Sequence, residues 1–260
     1  MNATDEKFFT AKIVKRTDFA PDLWMIRVQV DGDFKFLPGQ YASLRVENAE
    51  GHFERPYSIA SSPLEPEVEF FFELVPHGDL TPKLYELQLG DRLLMRKVAK
   101  GRFNLDTATG RRNHLLVSTV TGVAPFVSYA RTLQQQWEAK EFAGDHNLFL
   151  INGASRSWEF GYLDELRRIS GSVPWLTYVP TISRPWDDEK WLGETGRCED
   201  LLRKYTDTWG LSAANTVAYL CGHPEMVEHC KGILTRIGFD RKLMREEVYW
   251  VPPKAAAPGR

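Results

Sequence analysis

Cysteine is scarce in this chain: Cys198, Cys221 and Cys230 are the only three in 260 residues. An odd, widely spaced set builds neither a disulfide framework nor a four-thiolate iron–sulfur centre from one chain. Charge of one sign is also missing. With a net charge of −2 there is no general electrostatic reason to expect nucleic acid, and no such partner is expected. No stretch approaches ~18 apolar residues without a charge, which argues against a helical membrane span. The opening residues Met1 to Lys7 lack the basic-then-apolar order of a secretory signal, so a cytoplasmic location is the default expectation. His223 has no second His, Cys or carboxylate at zinc spacing, so no metal site is expected. Internal repeats and low-complexity segments are absent except at residues 251–260 (VPPKAAAPGR), a Pro- and Ala-rich tail that reads as loose or extended.

What is present suits a soluble globular protein of two domains, with 26% charged and 43% hydrophobic residues. Short β-rich runs separated by turn residues predict strands over 9–16, 23–30, 41–46, 53–60, 68–75 and 92–98, the pattern of a small antiparallel barrel. Within it a short helix is predicted over 82–89, with Thr81 as N-cap and Pro82 at its first position. After Gly110 apolar runs alternate with amphipathic stretches: 114–118, 124–137, 147–152, 162–169 and 176–179, then a strand at 217–222 and a helix at 224–237. That β-α-β order predicts a parallel sheet with helices on its faces. The expected fold is therefore α+β in two domains, an antiparallel β-barrel over 1–107 followed by an α/β parallel-sheet domain over 108–250, with 251–260 as tail.

Several motifs carry chemistry. The run Arg55-Pro56-Tyr57-Ser58-Ile59-Ala60-Ser61-Ser62 sets a cation, a ring and hydroxyls on one strand, where alternation directs Arg55 and Tyr57 one way and Pro56 and Ser58 the other. An Arg fork suits a phosphate and a Tyr face suits a flat ring such as a flavin; the same run also reads as an ordinary strand with a surface Arg. Next come Phe70-Phe71-Phe72-Glu73-Leu74-Val75 and Gly78-Asp79-Leu80-Thr81, leading into a helix start with free N–H groups. Val120-Thr121-Gly122-Val123-Ala124-Pro125 joins a strand to a helix, where glycine permits close backbone approach. Ser155-Arg156, Ser183-Arg184 and Arg197 follow strands whose C-terminal ends are where open α/β sheets bind ligands. Arginines there favour a ribose 2′-phosphate, hence NADP(H) over NAD(H), although each alone reads as a solvated surface residue. Cys221-Gly222-His223-Pro224-Glu225-Met226 and Glu246-Glu247-Val248-Tyr249-Trp250 complete the set; the latter reads either as a site element or as an amphipathic final strand packing Val248 and Trp250 into the sheet.

In this order, over about residues 8–250, these elements resemble the ferredoxin/flavodoxin–NADP(+) reductase family, bacterial type. The matching patterns are R-x-Y-S-[IL]-[AS]-[ST], G-x-L-[ST], C-G-x-P-x-M and, with Val120 in place of its first glycine, G-T-G-I-A-P. The resemblance implies an enzyme that moves electrons between NADP(H) and a separate one-electron carrier, ferredoxin or flavodoxin, by hydride transfer between nicotinamide and the N5 of FAD. The barrel would be the FAD-binding domain and the second domain the NADP-binding one. Carried over residue by residue, Ser58, Cys221, Glu247 and Tyr249 would surround the reacting atoms. Arg55, Pro56, Tyr57, Ser58, Phe71, Phe72, Glu73, Leu74, Asp79, Leu80, Thr81, Thr121, Tyr249 and Trp250 would hold FAD. Thr121, Gly122, Ser155, Arg156, Ser183, Arg184, Arg197, Cys221, Gly222 and Met226 would hold NADP. Cys221 is assigned a positioning role, and the lack of a cysteine quartet makes the carrier a separate protein. A monomer is expected. Two other readings stay open: an NAD(P)H flavin reductase or oxygenase-reductase component, and a flavin-binding module without turnover.

Overall fold

The computed structural model describes residues 6–48 and 51–249. Its first half is a six-stranded sheet of β1 (Phe8–Ala20), β2 (Leu23–Val30), β3 (Tyr41–Asn48), β4 (Gly51–Ser58), β5 (Val68–Glu73) and β6 (Arg92–Arg96), with the short helix α1 (Thr81–Glu86). The order is β4-β3-β6-β1-β2-β5 and every pairing is antiparallel. The chain leaving β4 returns to β5, where Ile59 bridges Phe70 and the Ala60 N–H donates to the Glu69 carbonyl at 2.9 Å. Both edge strands are thereby drawn together and the sheet curls into a barrel.

Helix α1 departs from expectation. It ends at Glu86, and its N-cap is Leu80, which makes no side-chain capping bond. Thr81 is the first helical residue. Its hydroxyl instead accepts the Val75 N–H at 3.0 Å and so anchors the exit of β5.

The second half comprises β7 (Asn113–Thr119), α2 (Ala124–Glu138), β8 (Asn147–Ala154), α3 (Leu163–Ser172), β9 (Leu176–Ile182), β10 (Glu194–Thr195), α4 (Leu202–Thr208), β11 (Thr216–Gly222), α5 (Pro224–Arg236) and β12 (Met244–Val248). Its strands are all parallel, in the order β10-β9-β8-β7-β11-β12. Helices α2 and α3 pack Phe126, Ala130, Leu166 and Ile169 on one face, and α4 and α5 pack Leu202, Val227 and Cys230 on the other. Covered on both sides, β11 is buried at every position, as a central parallel strand must be. The sheet grows from β7 towards β10 and then resumes on the other side with β11. That reversal makes a crevice at the C-terminal ends of β7 and β11.

Strand β5 explains how the halves join. Phe70 and Phe72 alternate into the barrel core, whereas Phe71 faces the core of the second domain and packs edge-on against Tyr162. Each such burial is worth roughly 1.5–3 kcal/mol. Glu69, on the same outward face, is fully buried. It accepts hydrogen bonds from Arg27 Nε at 2.5 Å, Arg131 Nη1 at 2.9 Å and the Tyr162 hydroxyl at 2.8 Å. Arg131 also grips Glu165 with two bonds of 2.7 and 2.8 Å.

Candidate functional site

Two pockets concern the site, one between barrel and sheet and one within the second domain. The barrel-side pocket, about 380 Å³, is bordered by Arg55, Pro56, Tyr57 and Ser58 of β4, by Phe71, Phe72 and Glu73 of β5, and by Thr81, Thr121, Glu247 and Tyr249. All four β4 residues border it, so the strand offers its edge and end, not the single Arg55–Tyr57 face expected from alternation. Tyr57 meets Phe72 edge-on with centroids 4.9 Å apart, leaving aromatic walls suited to a flat ring. Arg55 stands at the exposed rim, paired with Asp79. Leu74 and Leu80 do not border the pocket; Leu80 is buried in the barrel core. Glu73 reaches solvent. Desolvation of its inner end, then the neighbouring Asp22 and Glu159, push its carboxyl above the usual carboxylate range.

Four residues from three separate stretches of sequence, Ser58, Cys221 and the pair Glu247 and Tyr249, converge at the inner end. Ser58 Oγ donates to Glu247 Oε2 at 2.9 Å. Glu247 is the register partner of Cys221 across β11 and β12, which sets carboxyl and thiol on adjacent strands. Burial raises the Glu247 carboxyl from 4.5 to about 7, against a lowering by the Ser58 hydrogen bond. Cys221 is fully buried; burial and then the Glu247 charge hold its thiol protonated, although the Tyr249 hydrogen bond lowers it. Tyr249 is 41% exposed, yet its hydroxyl end is buried against Cys221 and Ser58 and its pKa is raised well above 10. Residues 246–248 do form a strand, but Val248 faces the pocket rim instead of packing into the sheet. Trp250 lies outside the described residues.

The second pocket, about 720 Å³, opens at the crevice over β7, β8, β9 and β11. Ser155, Ser183, Arg184, Arg197 and Met226 border it. Arg184 is exposed and Arg197 has one distant carboxylate, Glu199 at 3.7 Å. Arg156 turns away: its guanidinium is held by Asp187 at 2.6 Å and Glu159 at 3.2 Å. Gly122 and Gly222 serve the protein's own backbone. A Cβ on Gly122 would lie 2.3 Å from the Cys221 carbonyl oxygen, and one on Gly222 would lie 2.3 Å from Thr119 Oγ1. Sequence reasoning missed Tyr41, Val75, Trp186 and Glu199 as wall residues. Trp186 had a signal, standing two residues past Arg184; Tyr41 had none, since only the β3–β4 register places it opposite Ser58.

Comparison with known proteins agrees with this architecture. The "Oxidoreductase FAD-binding domain" family model matches residues 10–105 and the "Oxidoreductase NAD-binding domain" model matches residues 116–232. A ferredoxin–NADP reductase of Pseudomonas aeruginosa is 26% identical over 241 residues, covering 88% of this chain and 90% of that protein. The ferredoxin–NAD(P)(+) reductase component of a Pseudomonas putida naphthalene 1,2-dioxygenase system is 29% identical, over 92% of this chain and 70% of that protein. The crystal structure of a Neisseria gonorrhoeae ferredoxin NADP+ reductase with bound FAD and NADP superposes with a TM-score of 0.79 at 24% identity, over 94% of this chain and 99% of that one, which establishes the shared fold. The walls described above fit the two cofactors: aromatic faces with a rim cation for FAD, and a wide crevice with under-committed arginines for a nicotinamide dinucleotide. An FAD-binding domain model and an NAD-binding domain model, matched one after the other over most of the chain, make this an oxidoreductase of that two-domain kind, similar along its length to ferredoxin–NADP reductases.

Proposed function

We propose that the protein takes electrons from NADPH, in preference to NADH, into FAD and passes them to a separate ferredoxin or flavodoxin, acting as a cytoplasmic monomer. The observation that supports this best is the meeting of Ser58, Glu247 and Tyr249, backed by the buried Cys221 beside Glu247, at one pocket whose neighbour across residues 119–121 is the larger crevice. Arg55 would hold the FAD phosphates, Tyr57 and Tyr249 its ring, and Arg184 and Arg197 the 2′-phosphate of NADP. Bound FAD supplies a two-electron acceptor that can release electrons singly. The chain's own part is orientation and proton placement. Glu247 carries a proton below about pH 7 and accepts the Ser58 hydroxyl, so a proton can be held or moved between Glu247 Oε2 and Ser58 Oγ. Cys221, kept as a buried thiol beside Glu247 and Tyr249, positions them and is not a nucleophile.

The test is anaerobic mixing of FAD-loaded protein with NADPH or NADH, following loss of flavin colour, on wild type and Arg184→Ala. Faster bleaching by NADPH, with the preference lost in the variant, is expected. Protein that stays yellow under NADPH would be a binding module without turnover, and the proposal would fall. The likeness to the dioxygenase reductase component favours a second reading, in which the acceptor belongs to an oxygenase system. Turnover compared across ferredoxin, flavodoxin and free flavin separates the two.

A further inference from the structure

Val120 adopts φ +40°, the left-handed region that a β-branched side chain avoids. It follows β7 directly and opens the 3₁₀ turn Val120–Val123 that leads into α2. The turn cannot relax to relieve it. Gly122 already lies against the Cys221 carbonyl so closely that a Cβ would reach 2.3 Å, and Thr119 Oγ1 holds the His223 N–H at 3.1 Å. The backbone is thus pinned between β7 and β11, and the valine is left in a conformation that glycine would adopt freely. Its side chain is partly buried, packed against the small cluster of Ala154, Phe160 and Ile182 and against the large core that includes Val123 and Phe126.

The turn also stands between the two pockets. Thr119 and Val120 border the large crevice, whereas Thr121 and Ala124 border the barrel-side pocket. Strain that surroundings over-determine at such a junction points to a role there. We propose that Val120 is a specificity-determining residue: its isopropyl group narrows the passage between the pockets and weakens binding of the nicotinamide half of the dinucleotide without acting on the adenosine half at Arg184 and Arg197. The inference rests on the functional reading above and adds a residue that sets how tightly the oxidised dinucleotide is retained.

Calorimetric titration of FAD-loaded wild type, Val120→Ala and Val120→Gly with NADP+ and with adenosine 2′,5′-bisphosphate, which lacks the nicotinamide half, tests it. One or more methylenes in an apolar passage are worth roughly 10-fold or more in affinity. Val120→Gly should therefore bind NADP+ about 10-fold tighter, Val120→Ala less so, and adenosine 2′,5′-bisphosphate should change by less than about 2-fold in both. Unchanged or weaker NADP+ binding in Val120→Gly, with wild type binding both ligands, overturns the inference alone. Equal tightening of both ligands overturns it as well, since the valine would then act on the crevice as a whole. If wild type binds neither ligand, the functional reading falls and the inference with it.

Discussion

Arg131 and Arg184 belong to the same domain and do opposite work. Arg131 is sealed at the seam, where Glu69, Glu165 and Tyr162 form a satisfied network spanning barrel and sheet. Burial alone would lower its pKa, but the Glu165 hydrogen bonds and the Glu69 charge raise it overall. Arg184 is exposed at the crevice with no side-chain partner among the described residues. A cation whose donors are consumed internally is architecture; one held over a cavity with its donors uncommitted is available to a ligand. Counting arginines does not separate the two. Arg156, which sequence pattern groups with Arg184, belongs by its contacts with Asp187 and Glu159 nearer to the architectural kind.

The largest effect should come from the seam. Arg131→Met leaves the fully buried Glu69 with only Arg27 and Tyr162 and removes both bonds to Glu165, and breaking buried pairs by removing one partner costs about 3–5 kcal/mol. Urea unfolding monitored by tryptophan fluorescence should show that loss, and Glu69→Gln combined with Arg131→Met should lose less than the two single changes added together. A loss below about 1 kcal/mol would place Arg131 with the surface pairs and erase the contrast.

Glu247 lies between the extremes, a carboxyl desolvated like Glu69 but with Ser58 as its hydrogen-bond donor. Its folded pKa is raised from 4.5 to about 7, so between those values the unfolded chain has released a proton that the folded protein retains. Stability attributable to this group is therefore unaffected below about pH 4.5, falls as pH rises through the window, and stays lower above pH 7, by about 3 kcal/mol at most. Glu247→Gln should flatten that decline in melting temperature between pH 5 and 8. It should also remove any break near pH 7 in the rate of flavin reduction. An unchanged pH profile would show that the carboxyl ionises normally.

Both halves of the fold were legible because period and punctuation are local: alternating runs before Gly110, strand–helix alternation after it. The Arg55–Ser58 run stood out as a candidate site element by its residue types, and the Glu247–Tyr249 set through the family resemblance. Their union was not legible, since the contact between Ser58 and Glu247 spans 189 positions and depends on β12 adding beside β11. The seam left still less trace. Glu69 sits in an aromatic run that reads as a plain strand, and nothing near it announces Arg131, 62 residues away. Thr81 shows the reverse failure, a correct local signal for a cap overruled by the tertiary demand of the Val75 N–H. The departure at Val120 was visible in the sequence; its left-handed backbone, which gives the departure meaning, was not.

At the crevice, Arg184→Ala should leave stability within about 0.5 kcal/mol, as expected of an exposed side chain. It should weaken NADPH binding by about 1.5–3 kcal/mol, the worth of charged hydrogen bonds, or roughly 10- to 100-fold, with little effect on NADH. A fall in melting temperature matching that of Arg131→Met would merge the two classes.

The smallest effect should be at the rim of the barrel-side pocket, where Arg55 is paired with Asp79 and both side chains are more than half exposed, at 54% and 59%. Exposed pairs contribute about 0.2–1 kcal/mol, so the pairing hardly matters to folding. It matters to a phosphate, because Asp79 occupies the donors that a phosphate would use and adds like charge beside it. Asp79→Asn should therefore leave the melting temperature of the apoprotein unchanged and tighten FAD binding by up to about 5-fold, read from fluorescence recovery on dilution. Weaker FAD binding in Asp79→Asn would mean instead that the carboxylate aims Arg55 at the pocket. Arg55 would then resemble Arg131, a cation whose geometry is set by its protein partners, and not Arg184, whose geometry is left to the ligand.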